Sequence, residues 1–166
     1  AGVGKYNEFD QLRIAGVRSA DLKGFSFSRE DVDARSLANQ YAQILGQVFT
    51  HEMKPLEVEI LVAEVGTEPA QDQLFHLLYD GTVIDEDRFS VLGGDAETVA
   101  ERVEAGLGSD PDLHTALGVA AAALSGPDRQ LASGDLEVAL LARDGARRCF
   151  RRLDDPEVAA VLAPGS

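Results

Sequence analysis

Apolar positions change period several times along the chain, and each change marks an element. Phe9, Leu12 and Ala15 with Gly16 recur at helical spacing after Asn7, a residue suited to capping. This spacing predicts a helix running to about Asp21 and ended by Lys23-Gly24. Ser28-Arg29-Glu30-Asp31 reads as a second capped start. Leu37, Tyr41, Ile44, Leu45 and Val48 then form one amphipathic stripe. After Pro55 the period falls to two, with Leu56, Val58, Ile60 and Val62 alternating against Glu57, Glu59 and Leu61, the pattern of a strand. Leu74 to Tyr79 and Thr82 to Ile84 flank Asp80-Gly81, which predicts a hairpin closed by two residues of positive φ. Arg88 to Leu92, ended by Gly93-Gly94, reads as an extension of its second arm.

The second half repeats the order of helices followed by strands. Asp95 is placed to cap a helix carrying Val99, Val103 and Leu107. Asp110-Pro111 predicts the start of another, with Leu113, Leu117, Ala120, Ala121 and Leu124 on one face and a stop at Gly126-Pro127. Leu136 to Ala142 and Arg147 to Leu153 read as strands about an Asp144-Gly145 turn, and a short helix follows from Pro156 to Leu162. Gly66 to Asp72 and Gly126 to Asp135 are loops. Ala1-Gly2-Val3-Gly4-Lys5 resembles the end of an apolar strand. Runs of like elements, rather than strictly alternating ones, predict an α+β layered domain with mainly antiparallel strands. No linker divides the sequence, so residues 1–166 are read as a single domain.

Composition narrows the function classes. Of the 166 residues, 45% are hydrophobic and 27% charged, proportions that support a folded core. A formal net charge of -14 excludes sequence-independent nucleic-acid binding through clustered cations and disfavours acidic membranes. The lone Cys149 forms no internal disulfide, and no run approaches the roughly 20 apolar residues of a membrane span. With no secretory leader visible, the expected compartment is the cytoplasm.

Residues that carry chemistry are scattered. His51, His76 and His114 lie far apart, so no metal ligand set is nominated, and His51-Glu52 is read as a polar helix end. Gly93-Gly94-Asp95 lacks the longer phosphate-binding fingerprint and places a carboxylate where a phosphate would sit. A turn and a cap are expected there. Cys149 is expected to pack in the core, and Asp85-Glu86-Asp87 to be a solvated hairpin arm. The arginines Arg147, Arg148, Arg151 and Arg152 suit either an interface or a guarded strand edge.

Several segments, in order and spacing, resemble the 20S proteasome α-type subunits of actinobacteria: Val3 to Asp10, Ser36 to Gln43, Lys54 to Ile60 and Leu136 to Leu140. Val62 to Val65, Tyr79 to Thr82 and Arg151 to Leu153 strengthen the match, which covers practically the whole chain. The resemblance implies an αββα four-layer sandwich of antiparallel sheets, of the N-terminal-nucleophile hydrolase type and incomplete at its N-terminus. The family's gating segment, first helix and first strands do not precede Ala1, so an N-terminally truncated domain is expected. The resemblance further implies a non-catalytic subunit without cofactor or metal, in a heptameric ring of α subunits that controls substrate entry. Its implied partners are other α subunits, proteasome β subunits, a regulatory ATPase or other activator on the outer α-ring face, and the protein substrates passing through. No nucleic acid and no membrane belong among them. The family's activator-binding Lys falls in the part not represented, so no catalytic, cofactor, metal or partner-binding residue carries over.

The alternative is a catalytic N-terminal-nucleophile hydrolase, either a β-type proteasome peptidase or an amidohydrolase. It requires a free N-terminal nucleophile, which Ala1 does not supply. Cleavage before Thr67 or Thr82, the two Gly-Thr junctions, would discard much of the fold. A stand-alone binding domain of the same fold is the third reading.

Overall fold

The period-two run after Pro55 forms a seven-residue strand, and the helical runs before it pack on one of its faces. In chain order the elements are β1 (Gly2–Gly4), α1 (Tyr6–Ser26), α2 (Ala34–His51), β2 (Val58–Glu64), β3 (Gln73–Leu77) and β4 (Val83–Asp85), followed by α3 (Ala96–Gly106), α4 (Leu113–Ser125), β5 (Val138–Leu141), β6 (Phe150–Leu153) and α5 (Asp155–Leu162). This computed structural model describes residues 1–143 and 149–163. They fall into two units, Ala1–Gly94 and Asp95–Ser166. The predicted order of helices and strands holds, and the apolar start does pair as a strand. Both sheets are antiparallel, and the chain is α+β as expected.

In the first unit the sheet order is β1-β2-β3-β4. Cross-strand register places Ile60 opposite Leu77 and Val62 opposite Phe75, so β2 and β3 present their apolar residues on one face. That face is covered by Ala38, Tyr41 and Leu45 of α2, with Leu12 of α1 completing the buried cluster. Leu45, Phe75 and Leu77 are fully buried, worth roughly 1.5–3 kcal/mol each on transfer from water. The stripe Leu37, Tyr41, Ile44, Leu45 is therefore the packing face that the sequence indicates.

Two joints hold the helices to the sheet. At the first, Lys5 pairs with Glu57 at 2.5 Å and Lys54 with Glu8 at 2.9 Å, while Glu57 N–H donates to Glu8 Oε2 at 2.7 Å. The Glu57 N–H, and then the Lys54 ammonium, hold the Glu8 carboxyl below the usual carboxylate range. At the second, Asp33 caps α2: its carboxylate accepts from Ser36 N–H at 2.7 Å, Ser36 Oγ at 2.7 Å and Lys23 Nζ at 3.0 Å. These bonds, the Ser36 hydroxyl foremost, lower Asp33 from the usual 3.8 to about 2.

Several boundaries differ from the sequence expectations. The first helix is entered at Lys5 rather than Asn7 and runs five residues past Asp21, through Lys23-Gly24. Lys23 is held by Asp33 and Ser36 of the returning chain, and Gly24 packs against Val32 and Arg29. Tertiary contacts thus override the expected glycine stop. Ser28 caps only a 3-10 turn, Arg29–Asp31, and α2 starts after Asp33. Arg88 to Leu92 forms no strand, the pairing ending where Glu86 N–H donates to Leu74 O. The Asp80-Gly81 hairpin exists, but only Gly81 has positive φ, at +90°. Gly81 N–H donates to Leu78 O and Leu78 N–H to Thr82 O, so the loop is a turn followed by a glycine bulge.

The bulge seats the hairpin on α2. A Cβ on Gly81 would lie 2.6 Å from Ala42 O and 2.8 Å from Gly46 N, both backbone atoms of that helix. Tyr79 meets Phe49 edge-on at 5.6 Å between ring centroids. The crossing of α1 over α2 likewise uses a glycine, since a Cβ on Gly16 would occupy the position of the Tyr41 hydroxyl.

In the second unit α3 packs on α4 and α4 on α5. Asp95 stands at the start of α3 but its side chain makes no capping bond, whereas Asp112, not Asp110, caps α4 through Thr115 N–H at 2.8 Å. The stop at Gly126 is as expected, with φ +63°. Ala121 and Ala123 are the buried residues of α4, while Leu113 and Leu124 stay exposed. β5 pairs β6, and α5 is capped reciprocally by Asp154 and Glu157. The Asp144-Gly145 turn, Arg147-Arg148 and the last three residues lie outside the described residues.

Gly81→Ala is expected to lower the unfolding free energy by about 2–3 kcal/mol, from left-handed strain and the clash with α2. Gly118→Ala, in α4 with nothing within 4 Å of the new methyl, should be neutral or stabilise by up to about 1 kcal/mol. Urea midpoints of the two variants check the contrast. Asp33 has a depressed folded pKa, so its contribution is present above pH 3.8 and is lost as pH falls toward 2. Asp33→Asn should remove that segment of the acid-unfolding curve while leaving the shape above pH 5 unchanged, as read by circular dichroism.

Candidate interaction surface

The residues examined for chemistry are dispersed in the fold as they are in the sequence. His51 closes α2, its Nδ1 donating to Gln47 O at 3.1 Å. His114 meets Val161 O in the second unit. Among the described residues no group of three or more His, Cys, Asp or Glu side chains is arranged to hold a metal ion. Cys149 is exposed, contrary to the expectation of core packing, because β6 buries only Leu153. Arg151 and Arg152 are engaged by Glu157 and Glu137. Thr82 N–H donates to Asp80 Oδ1, and the Thr67 hydroxyl donates to Gln71 Oε1 at 2.6 Å, so both threonines are tied into loops.

His76 is the one polar side chain buried among the described residues, at 9% exposure. It lies on the face of the sheet away from α2, with Nε2 at 3.0 Å from Glu59 Oε2 and Nδ1 at 3.6 Å from Glu86 Oε1. Glu86 also accepts from Ser90 Oγ at 3.0 Å. The acidic triplet is therefore divided: Glu86 turns toward His76, whereas Asp85, which faces Arg35 at 3.6 Å, and Asp87 stay exposed as a solvated arm. Sequence reading missed this cluster because its members come from three segments that only strand register brings together.

The most conspicuous surface belongs to α1, which exposes several large apolar residues among polar ones on the side away from the core. Phe9, Leu12 and Gly16 lie on the side that packs against α2 and the sheet. On the other side Asn7, Gln11, Ile14, Arg18, Asp21 and Phe25 follow one another at alternating four- and three-residue steps, with Val17 and Leu22 flanking them. Phe25 is 91% exposed, Phe27 78%, Leu22 67% and Val17 50%. Leu22, Phe25, Arg29 and Val32 line an open groove of about 840 Å³ at the C-terminal end of the helix. Large apolar residues clustered on an exposed helix face are the signature of a surface that another chain covers. Polar residues interrupt the stripe: Asp10 is paired with Arg13 through Oδ1, and neither Arg18 nor Asp21 has an ion pair among the described residues. The sequence reading recognised α1 but only its inner face, since Phe9, Leu12 and Ala15 sufficed to predict the helix.

No family model matches the chain. Among curated proteins it is similar to proteasome subunit alpha of Acidimicrobium ferrooxidans, 61% identical over 161 residues that cover 97% of this chain and 69% of the relative. It is 51% identical to proteasome subunit alpha of Kineococcus radiotolerans, over 98% of this chain and 73% of that one. The Arthrobacter protein of the same name is also 51% identical, over 98% and 72%. No helix among the described residues is long and apolar enough to cross a membrane.

If the outer stripe of α1 plays no part in the fold of its own chain, Phe25→Ser should change the unfolding free energy by less than about 0.5 kcal/mol. The same substitution should reduce binding of an apolar fluorescent dye to the folded protein. Denaturant titration and dye fluorescence measured on one preparation check both halves.

Proposed function

The chain belongs to the proteasome α-subunit family, and from that premise we propose that it is a non-catalytic structural subunit of the 20S core particle, acting through its surfaces. The observation that carries this reading is helix α1, whose inner face builds the fold while Val17, Leu22 and Phe25 on its other side stay exposed. A helix of that kind suits a component of an assembly better than an isolated domain.

Residues 1–166 then form one α-type domain of the αββα sandwich class. The subunit works in heptameric α rings stacked on β rings, in the cytoplasm. There it controls the entry of protein substrates and offers the outer ring face to a regulatory ATPase or other activator. Chemistry falls to the β subunits. The α-type names of the relatives support this reading over that of a catalytic N-terminal-nucleophile hydrolase, and so does the placing of Thr67 and Thr82 inside hydrogen-bonded loops.

Co-expression with an actinobacterial proteasome β subunit should give α–β complexes by native mass spectrometry. Fluorogenic-peptide hydrolysis should appear only in the mixture and should depend on the N-terminal Thr of β. Turnover by the α chain alone, or failure to join any β-type subunit, would contradict the proposal.

A further inference from the structure

The chain leaving β4 does not turn away from the sheet. Glu86 N–H donates to Leu74 O at 2.9 Å, and beyond it Phe89 to Gly93 are half-buried although they form no regular structure. Gly93, at φ +103°, stands beside Val3 of β1: a Cβ placed there would lie 3.9 Å from Val3 Cγ1, and Gly93 and Gly94 line one hollow with Val3 and Glu59. Residues 86–94 therefore run from the β4 edge to β1, as a strap over the face that carries His76. No backbone hydrogen bond among the described residues fixes Phe89 to Leu92. The side-chain anchor is Glu86, whose Oε1 accepts from Ser90 Oγ at 3.0 Å and faces His76 Nδ1 at 3.6 Å. We propose that His76 is a proton-operated latch for this strap, holding it when both ring nitrogens carry a proton and releasing it when the ring is neutral. The latch is a property of the first unit alone and does not depend on the subunit reading.

A neutral imidazole has one N–H to give. His76 Nε2, at 3.0 Å from Glu59 Oε2, is the nitrogen placed to carry it, which leaves a lone pair on Nδ1 facing the Glu86 carboxylate. Two acceptors then oppose each other, and the strap has no bond to the ring. A second proton turns Nδ1 into a donor. Its charge-assisted bond draws Glu86 across the 3.6 Å gap, while Glu59 keeps Nε2. With the ring only 9% exposed, water does little to replace a missing bond. Glu59 from β2 and Glu86 from the strap are the charged groups that face the ring among the described residues. β1 and β4 present Val3 and Ile84 to the same face, Glu57 further along β2 is paired with Lys5, and Asp87 and Arg88 of the strap are exposed. Lower pH therefore tightens the strap and higher pH loosens it.

Hydrogen exchange of the 166-residue chain, read by mass spectrometry on peptides covering 86–94 and divided at each pH by the rate of the same peptide unfolded, measures the strap. Its protection should fall roughly tenfold between about pH 5 and about pH 8, the interval in which imidazole changes charge, while peptides from α2 keep theirs. Glu86→Gln should abolish that dependence and leave the strap protected at both ends of the interval, because its amide can donate to Nδ1 of the neutral ring. His76→Gln, which has no proton to gain, should also give protection that does not change with pH. In an NMR titration of the unsubstituted chain, the amide signals of Ser90 to Gly93 should move with the midpoint of the His76 ring signal, the one missing from His76→Gln.

Protection of residues 86–94 that is the same across the interval would overturn the latch. So would a pH dependence that survives in His76→Gln, or a Glu86→Gln chain that still loosens as the pH rises. Loss of protection over α2 in step with the strap also counts against it, since the change then belongs to the whole unit. Circular dichroism establishes that each variant is folded; if His76→Gln is not, Glu86→Gln and the shared midpoint decide. None of these outcomes bears on assembly with β-type subunits, which tests the subunit reading separately.

Discussion

Everything in the first unit depends on α2 being buried on two sides. Its Ala38, Tyr41 and Leu45 meet Val58, Ile60, Val62, Phe75 and Leu77 of the sheet, and Tyr41 also fills the space that Gly16 leaves in α1. A two-sided wedge of this kind cannot shift without opening both contacts, because close-packed interiors have little spare volume. The rest of the unit is built to its position. Asp33 fixes where α2 begins, the charged pairs Lys5–Glu57 and Lys54–Glu8 fix how the chain enters α1, and Gly81 lets the β3–β4 hairpin rest on the α2 backbone.

That arrangement has a consequence for α1. With α2 occupying the sheet, α1 touches the core through a narrow line of Phe9, Leu12 and Gly16, and the rest of its apolar surface is turned outward. Phe25 and Phe27 stay outside the core. Exposed apolar residues grouped in this way suit contact with another chain.

The outer face of the sheet shows a different compromise. His76 is buried between Glu59 and Glu86, a polar group placed on a face otherwise formed by Val3, Leu61, Leu74 and Ile84. Its hydrogen bond to Glu59 meets the requirement that a buried polar group find a partner. The acidic run after β4 thus has one residue with an internal role, and a reading of Asp85-Glu86-Asp87 as a solvated arm holds for its neighbours better than for Glu86.

The sequence by itself determined the kind and order of the elements, since hydrophobic period reports which side of a helix or strand is buried and is read locally. It determined the family too, because segments such as Lys54 to Ile60 and Ser36 to Gln43 keep their order and spacing. Tertiary structure decided what local signals leave open. Gly24 did not end α1 because Asp33 and Ser36 come back to hold Lys23, and Val32 lies beside Gly24. Asp112 rather than Asp110 caps α4 because capping is settled by which carboxylate reaches a free N–H, here that of Thr115. Cys149 is exposed because an apolar neighbourhood in sequence is not one in space. The outer stripe of α1 belongs to the same class: Ile14, Val17, Leu22 and Phe25 look like core residues in one dimension, and only the position of α2 shows that they are left outside.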